Sequence, residues 1–205
     1  MVGLLYVLSG PSGVGKNTVL QEVLAKRTDL IYSISATTRP PRGQEVDGVN
    51  YYFLSKAQFF AEIENDGFLE WAEIYDHYYG TPKQIVLDRL QKGQHIILDV
   101  DIQGAAQIKK NYPNAISIFL YPPSRAELKR RLLARNTDDQ ESIEKRLAYI
   151  EQELTAVSTY DYVVLNDRLD EACMRVESII NAEEVKVTRG YWKRLLCLDK
   201  NENNA

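Results

Sequence analysis

Gly10-Pro11-Ser12-Gly13-Val14-Gly15-Lys16, continued by Asn17 and Thr18, is the stretch that decides the fold. It matches the pattern G-x-x-x-x-G-K, and its flanks give the match meaning. The apolar run Leu4 to Ser9 in front of it reads as a buried strand. Behind it, Val19, Leu20, Val23 and Leu24 recur at helical spacing, which predicts a helix over Lys16 to Lys26. Strand, glycine-rich turn and helix in that order make a phosphate-binding unit. The glycines let backbone N–H groups converge on one concavity, the helix N-terminus adds positive potential, and Lys16 reaches the β- and γ-phosphates. Where a Ser or Thr hydroxyl would normally ligate Mg²⁺, this chain carries Asn17. A side-chain amide oxygen is still a hard ligand, direct or through water, so a retained but weaker metal dependence is expected.

Outward from that unit, short apolar runs alternate with stretches of helical period. Helix is expected over Lys83 to Gln91, strand over His95 to Val100, helix over Gln103 to Asn111 and strand over Ile116 to Tyr121. Ser124 with Glu127 three residues on is a capping box opening another helix. A polar stretch, Asn136 to Gln140, then leads into a second long helix, Glu141 to Val157, and the pair reads as a mobile lid. Tyr162 to Leu165 is the last strand and Leu169 to Ala182 the last packed helix. This pattern predicts an α/β, three-layer fold with a parallel sheet core. Ile31 to Thr81 differs in texture, with Pro40-Pro41, Asp47-Gly48, aromatic clusters and a helix-like Lys56 to Asn65. It reads as a small α+β insertion of short antiparallel strands that moves relative to the core. The expected organisation is a core of residues 1–34, 82–125 and 158–184, an insertion at 35–81, a lid with adjoining helices at 126–157 and a C-terminal extension at 185–205. Trp192, Leu195, Leu196 and Leu198 in that extension suit either a cover for the core or a subunit contact.

Composition narrows the function classes. A chain of 205 residues with 44% hydrophobic and 26% charged residues can bury a sizeable core, which excludes a disordered or collagen-like protein. Twenty-five Lys and Arg against 29 Asp and Glu give a net charge of −4, so nucleic acid is not held by bulk charge and an anion needs a local site. No apolar run approaches the ~18 residues of a bilayer span, and Leu4 to Leu8 lacks the basic start of a secretory signal. Cys173 and Cys197 fit no metal or redox spacing, and with only His77 and His95 besides, a structural zinc is not expected. A reducing cytoplasm is the expected setting.

Two further features supply charge for phosphate chemistry. Ile96-Ile97-Leu98-Asp99 is an apolar strand ending in an acid that can hold Mg²⁺ directly or through its water shell. Arg39 and Arg42 flank a rigid Pro-Pro turn that would present both to one phosphate. Arg131 and Arg135 share a helical face, and Arg146 comes from the next helix; Arg130 reads as an ordinary solvated arginine.

Taken together with Ser35-Ala36-Thr37-Thr38-Arg39-Pro40-Pro41-Arg42-Gly43, Glu45-Val46-Asp47-Gly48, Tyr51-Tyr52-Phe53, Phe68-Leu69-Glu70-Trp71-Ala72-Glu73, Tyr78-Tyr79-Gly80-Thr81, Leu98-Asp99-Val100-Asp101, Gln103-Gly104, Pro122-Pro123-Ser124 and Val164-Leu165-Asn166-Asp167, the chain resembles the guanylate kinases from Gly3 to about Glu184. The resemblance implies transfer of the γ-phosphoryl of ATP to GMP, and to dGMP, with Mg²⁺. It implies that Gly10, Pro11, Ser12, Gly13, Val14, Gly15, Lys16, Asn17 and Thr18 bind ATP with Arg131 and Arg135, and that Asn17 and Asp99 serve the metal. It gives guanine to Glu70, assisted by Asp101, Ser35 and Thr81, and the GMP phosphate to Arg39, Arg42, Tyr51 and Tyr79. Lys16, Arg39, Arg135 and Arg146 would be catalytic. A monomer or homodimer acting on small nucleotides, without nucleic acid or membrane, fits that picture. Arg135-Asn136-Thr137 lacks the glycine expected after the arginine, a departure that bears on the lid hinge. Two other readings compete: another nucleoside-monophosphate kinase, which Glu70 with Ser35 and Thr81 disfavours, and a catalytically silent guanylate-kinase-like protein-binding module. Lys16, Asp99 and the lid arginines disfavour the module; Asn17 alone favours it.

Overall fold

The computed structural model describes residues 2–74, 76–133, 150 and 153–190. Strand β1, Leu5–Ser9, is buried at every position because it lies in the middle of a sheet covered on both faces. Its side chains alternate accordingly. Leu5 and Val7 join Val86, Leu90, Ile96, Leu98, Ala105 and Ile108 in one core, while Tyr6 and Leu8 join Val19, Val23, Ile97, Leu128, Val176 and Ile180 in the other. Period-two alternation into two apolar layers is what makes a parallel strand read as a continuous hydrophobic run.

The main sheet has five parallel strands in the order β2-β7-β1-β8-β9, where β2 is Leu30–Tyr32, β7 His95–Asp99, β8 Ile116–Tyr121 and β9 Tyr162–Leu165. Helix α1, Lys16–Lys26, packs on one face with the last helix, α6, Leu169–Val185. Helices α3, Lys83–Gln91, and α4, Ile102–Asn111, pack on the other. Helix α5, Arg125–Leu133, starts where Ser124 Oγ accepts from the Glu127 N–H at 3.0 Å, the serine half of the expected capping box, while the Glu127 carboxylate accepts from Arg130 and Arg131. The three-layer α/β expectation is met, with α3, β8 and β9 at the residues the pattern gives.

A second, four-stranded sheet has the order β4-β3-β6-β5, with β3 Ala36–Thr37, β4 Tyr52–Phe53, β5 Phe68–Ile74 and β6 His77–Pro82. Helix α2, Lys56–Glu64, opens on a Ser55/Gln58 capping box and drops Phe59 onto Phe68, ring centroids 4.5 Å apart. Two expectations need correction. Ile31 and Tyr32 belong to the main sheet, since β2 pairs with β7 in register Ile31 to Ile96, so the insertion begins after them. Its strands are not all antiparallel either: β3 runs parallel to β4, because the long 38–51 connection returns the chain to the same end.

Among the described residues no helix is long and apolar enough to cross a membrane. Residues 134–149, most of the expected lid, lie outside the described residues with Arg135 and Arg146, as do Cys197 and the hydrophobic residues expected to pack from the extension.

Candidate active site

Parallel strands deliver their following loops to one edge, so the turn after β1 and the acid ending β7 meet there. The turn wraps as expected of a phosphate loop. Gly10, Gly13 and Gly15 have φ of 147°, 83° and 100°, values that side chains resist. Space matters as much as angle: a Cβ on Gly10 would lie 2.5 Å from the Leu120 carbonyl oxygen. Pro11 O accepts from the Val14 N–H at 3.1 Å, Val14 is fully buried, and Ser12, Gly13 and Gly15 complete the loop. Lys16 Nζ bridges back to the Gly10 carbonyl at 2.9 Å, while Asn17 and Thr18 stand exposed on the first turn of α1.

The back of the loop is tied down by groups from distant elements. Asn166, after β9, donates through Nδ2 to Val14 O at 2.7 Å, and Arg131 Nη1 donates to Val14 O and Asn166 O, each at 3.3 Å. Arg131 also binds Glu127 at 2.8 Å. Its guanidinium thus meets the loop at a carbonyl. Glu153 faces the loop from the other side. Burial pushes its carboxyl up in pKa, Lys16 and the Ser12 N–H pull it back, and Oε2 is buried without a partner.

Lys16, Asn17, Ser35, Tyr51, Glu70, Tyr79, Asp99 and Asp101 line one cleft of about 590 Å³. Burial raises the pKa of Asp99; Lys16 opposes the rise and Asp101 adds to it. Asn17 and Asp99 present hard oxygen donors to this cleft, so the pair fits Mg²⁺, which takes oxygen ligands and keeps several waters. The other convergent group of ligand-type side chains among the described residues, Asp29, His95 and Glu184, is held by Arg27, which donates to Asp29 at 2.6 and 2.8 Å and to Glu184 at 2.5 Å. That group is an ion-pair network.

At the far end of the cleft, Glu70 on β5 is only 6% exposed. Thr81 Oγ1, from β6, donates to its Oε1 at 2.6 Å. Burial pushes the carboxyl up to about 7; the Thr81 bond pulls it down and the neighbouring Asp101 adds to the rise. Asp101 itself caps α4, accepting from the Gly104 N–H at 2.7 Å. A buried carboxylate at a cleft wall suits, in its ionised form, a ligand edge with two adjacent N–H donors.

Glu45, Tyr51 and Tyr79 also line this cleft, and Arg39 packs on Tyr51 and pairs with Glu45. Arg39 is buried, donates to Glu45 at 2.9 Å and to the Pro40 carbonyl at 2.8 Å, and stacks over Tyr51 and Phe53 at 5.4 and 6.0 Å. Glu45 also accepts from the Arg42 N–H at 2.7 Å, while the Arg42 side chain is exposed. Tyr51 and Tyr79 meet edge to face at 6.1 Å. The Pro-Pro turn therefore sends its two arginines to different environments. Glu45 is the residue that aims Arg39, and only its place in a motif marked it.

The family model described as guanylate kinase matches residues 3–183. The guanylate kinase of Caldanaerobacter subterraneus subsp. tengcongensis is 50% identical over 187 residues, 91% of each chain. That of Carboxydothermus hydrogenoformans is 47% identical over 194 residues, 95% of each. The crystal structure of guanylate kinase from Anaplasma phagocytophilum superposes with a TM-score of 0.75 at 33% identity, covering 90% of this chain and 88% of that one. With the family model, the relatives and the fold in agreement, the chain belongs to the guanylate kinase family.

Proposed function

We propose that the protein transfers the γ-phosphoryl of ATP to GMP, and to dGMP, giving ADP and GDP or dGDP. The observation that carries this reading is Glu70, a buried carboxylate held by Thr81 in the same cleft as Lys16 and Asp99. Guanine offers N1–H and N2–H₂ as adjacent donors beside the O6 acceptor. Glu70 accepts from the donors, Asp101 assists at the amino group and Ser35 donates its hydroxyl toward O6, while Thr81 keeps its single O–H on Glu70 Oε1 and serves the base by holding that carboxylate. Adenine has an unprotonated N1 there and would set a lone pair against the carboxylate, so discrimination of up to ~10⁴ is expected. Arg39, Arg42, Tyr51 and Tyr79 take the GMP phosphate, with Arg39 kept aimed by Glu45.

ATP lies with its phosphates in the loop of Gly10 to Thr18, against the converging backbone N–H groups and Lys16. An oxygen of the GMP phosphate attacks the γ-phosphorus in line as the bond from that phosphorus to the β-γ bridging oxygen breaks, and ADP leaves. Lys16, Arg39, Arg135 and Arg146 neutralise the charge that spreads over the transferring group, and Arg131 steadies the loop near the ATP phosphates. Mg²⁺, when held near Asn17 and Asp99, supplies further neutralisation of the β- and γ-oxygens. Residues 35–81 are the acceptor-binding subdomain and 126–157 the closing lid in this reading. A cytoplasmic setting, where both nucleotides are held, belongs to this reading too.

A coupled assay of ADP release with ATP, Mg²⁺ and each of GMP, dGMP, AMP, CMP and UMP tests the reading. Turnover confined to GMP and dGMP is expected. Absence of turnover with every acceptor would favour the protein-binding module.

A further inference from the structure

Helix α4 is a core helix, yet one of its faces is bonded to β5 on both sides of Glu70. Gln107 holds the Trp71 main chain with both amide atoms: Nε2 donates to the Trp71 carbonyl at 2.8 Å and Oε1 accepts from the Trp71 N–H at 3.2 Å. One turn further on, Asn111 Nδ2 donates to the Leu69 carbonyl at 3.2 Å. Gly104, Gln107 and Asn111 follow one another at three and four residues, so they share this face.

At its head, Gly104 is buried and lies within the helix, where glycine costs about 1 kcal/mol relative to alanine. Helical backbone places no demand for glycine there. The space does: a Cβ at Gly104 would stand 2.6 Å from Glu70 Oε2 and 3.2 Å from Asp101 Oδ1. A carbon cannot sit 2.6 Å from a carboxylate oxygen without something shifting, and the other oxygen of that carboxylate is pinned by Thr81.

We propose that Gly104 and Gln107 are specificity-positioning residues: this face of α4 sets where the Glu70 carboxylate stands and so which base the cleft accepts. The inference rests on Glu70 reading guanine. Gly104 opens the room the carboxylate fills, and Gln107 clamps the strand residue next to it, tying the base-reading part of the insertion to the core. Filling the room with a methyl group displaces the carboxylate while improving the helix. Base recognition and stability therefore move in opposite directions, a split that a merely structural glycine does not produce.

The test is steady-state kinetics with GMP, AMP and ATP, together with thermal unfolding, on Gly104→Ala, Gln107→Leu, Glu70→Ala and the Gly104→Ala/Glu70→Ala double variant. Gly104→Ala is expected to raise KM for GMP about tenfold and to narrow the GMP-to-AMP preference, with KM for ATP within about twofold and Tm unchanged or higher. Gln107→Leu is expected to move KM for GMP the same way by about threefold. Once Glu70 is alanine, Gly104→Ala adds nothing further. Wild-type GMP kinetics in Gly104→Ala beside a damaged Glu70→Ala overturns the inference while leaving the reading of Glu70 intact. Wild-type GMP kinetics in Glu70→Ala overturns that reading and the inference with it. A lowered Tm with KM for ATP and GMP raised alike marks a structural glycine and overturns the inference alone.

Discussion

The two ends of the cleft are built in opposite ways. At the donor end the recognition surface is main chain, shaped by three glycines with positive φ within six residues, and the charged side chain of Lys16 comes from the same segment. At the acceptor end it is side chains: Glu70 from β5, Thr81 from β6 and Asp101 from the cap of α4. A contiguous loop binds a group every nucleoside triphosphate shares, so it can be general. A corner assembled from three elements can be selective, because each polar group waits for one partner and loses it when the base is wrong. It also carries a burden, a carboxyl whose charge burial resists.

The largest effect falls at the donor end. Lys16→Met is expected to lower kcat by about 10²- to 10³-fold with little change in the GMP-to-AMP preference, as measured by coupled ADP release. A variant that lost selectivity along with rate would break the division between the ends.

Glu70→Gln should do the reverse, sparing KM for ATP while damaging GMP use, and it should stabilise the protein. The folded carboxyl titrates at about 7 against a reference of 4.5, so the folded state holds a proton between those values that the unfolded chain has released. Stability is therefore lost as pH rises through that window, by about 3 kcal/mol once both states are ionised. Urea unfolding at pH 8 is expected to show the glutamine variant more stable by up to about that amount, with the difference shrinking toward pH 4.5. Equal stability at both pH values would mean that burial at this corner costs nothing. The same proton governs binding. KM for GMP in the wild type is expected to rise as pH falls below about 7, and the Glu70→Gln variant isolates this component from titration of the GMP phosphate, whose own pKa is about 6.

Gly15→Ala sharpens the comparison from the other side. Gly15 combines a φ of 100° with a Cβ position 2.8 Å from Asn166 Nδ2, so backbone and space both forbid alanine. A loss of roughly 1 to 3 kcal/mol in stability, with weaker ATP binding, is expected by calorimetry. Gly104→Ala, which meets only the side-chain carboxylates of Glu70 and Asp101, should not destabilise the fold. The smallest effect is expected for Asn17→Ser, a change of a few-fold in the Mg²⁺ concentration for half-maximal turnover with KM for GMP unmoved. An identical Mg²⁺ titration would remove any role for this position in setting metal affinity.

The same contrast governs what could be read before any coordinates. The loop declared itself because its parts are consecutive, and the core elements because buried parallel strands and amphipathic helices leave strong local periodicities, as in Ile116–Tyr121 and Lys83–Gln91. The small strands did not. Ala36–Thr37 and Tyr52–Phe53 are two residues each, too short for a period, and their parallel pairing is set by the path of the chain between them. Ile31 and Tyr32 read with the insertion by texture although the boundary after residue 34 leaves them in the core, since only β7 beside them makes Leu30–Tyr32 a strand. At the site, motif resemblance supplied Glu70 and Asp101, but Asn166 behind the loop, Glu153 facing it and the Gly104 face of α4 acquire meaning only when distant elements meet. Gly104 stands in the sequence only as part of the Gln103-Gly104 motif; what it faces is set by the fold.

The ratio of kcat/KM for GMP to that for AMP, measured side by side for the wild type and Glu70→Gln, tests the central claim most directly. A wild-type ratio of about 10⁴ that falls by about 100-fold or more in the variant, with KM for ATP unchanged, is the expected result. A ratio that survives the substitution would contradict it and move guanine recognition elsewhere in the cleft.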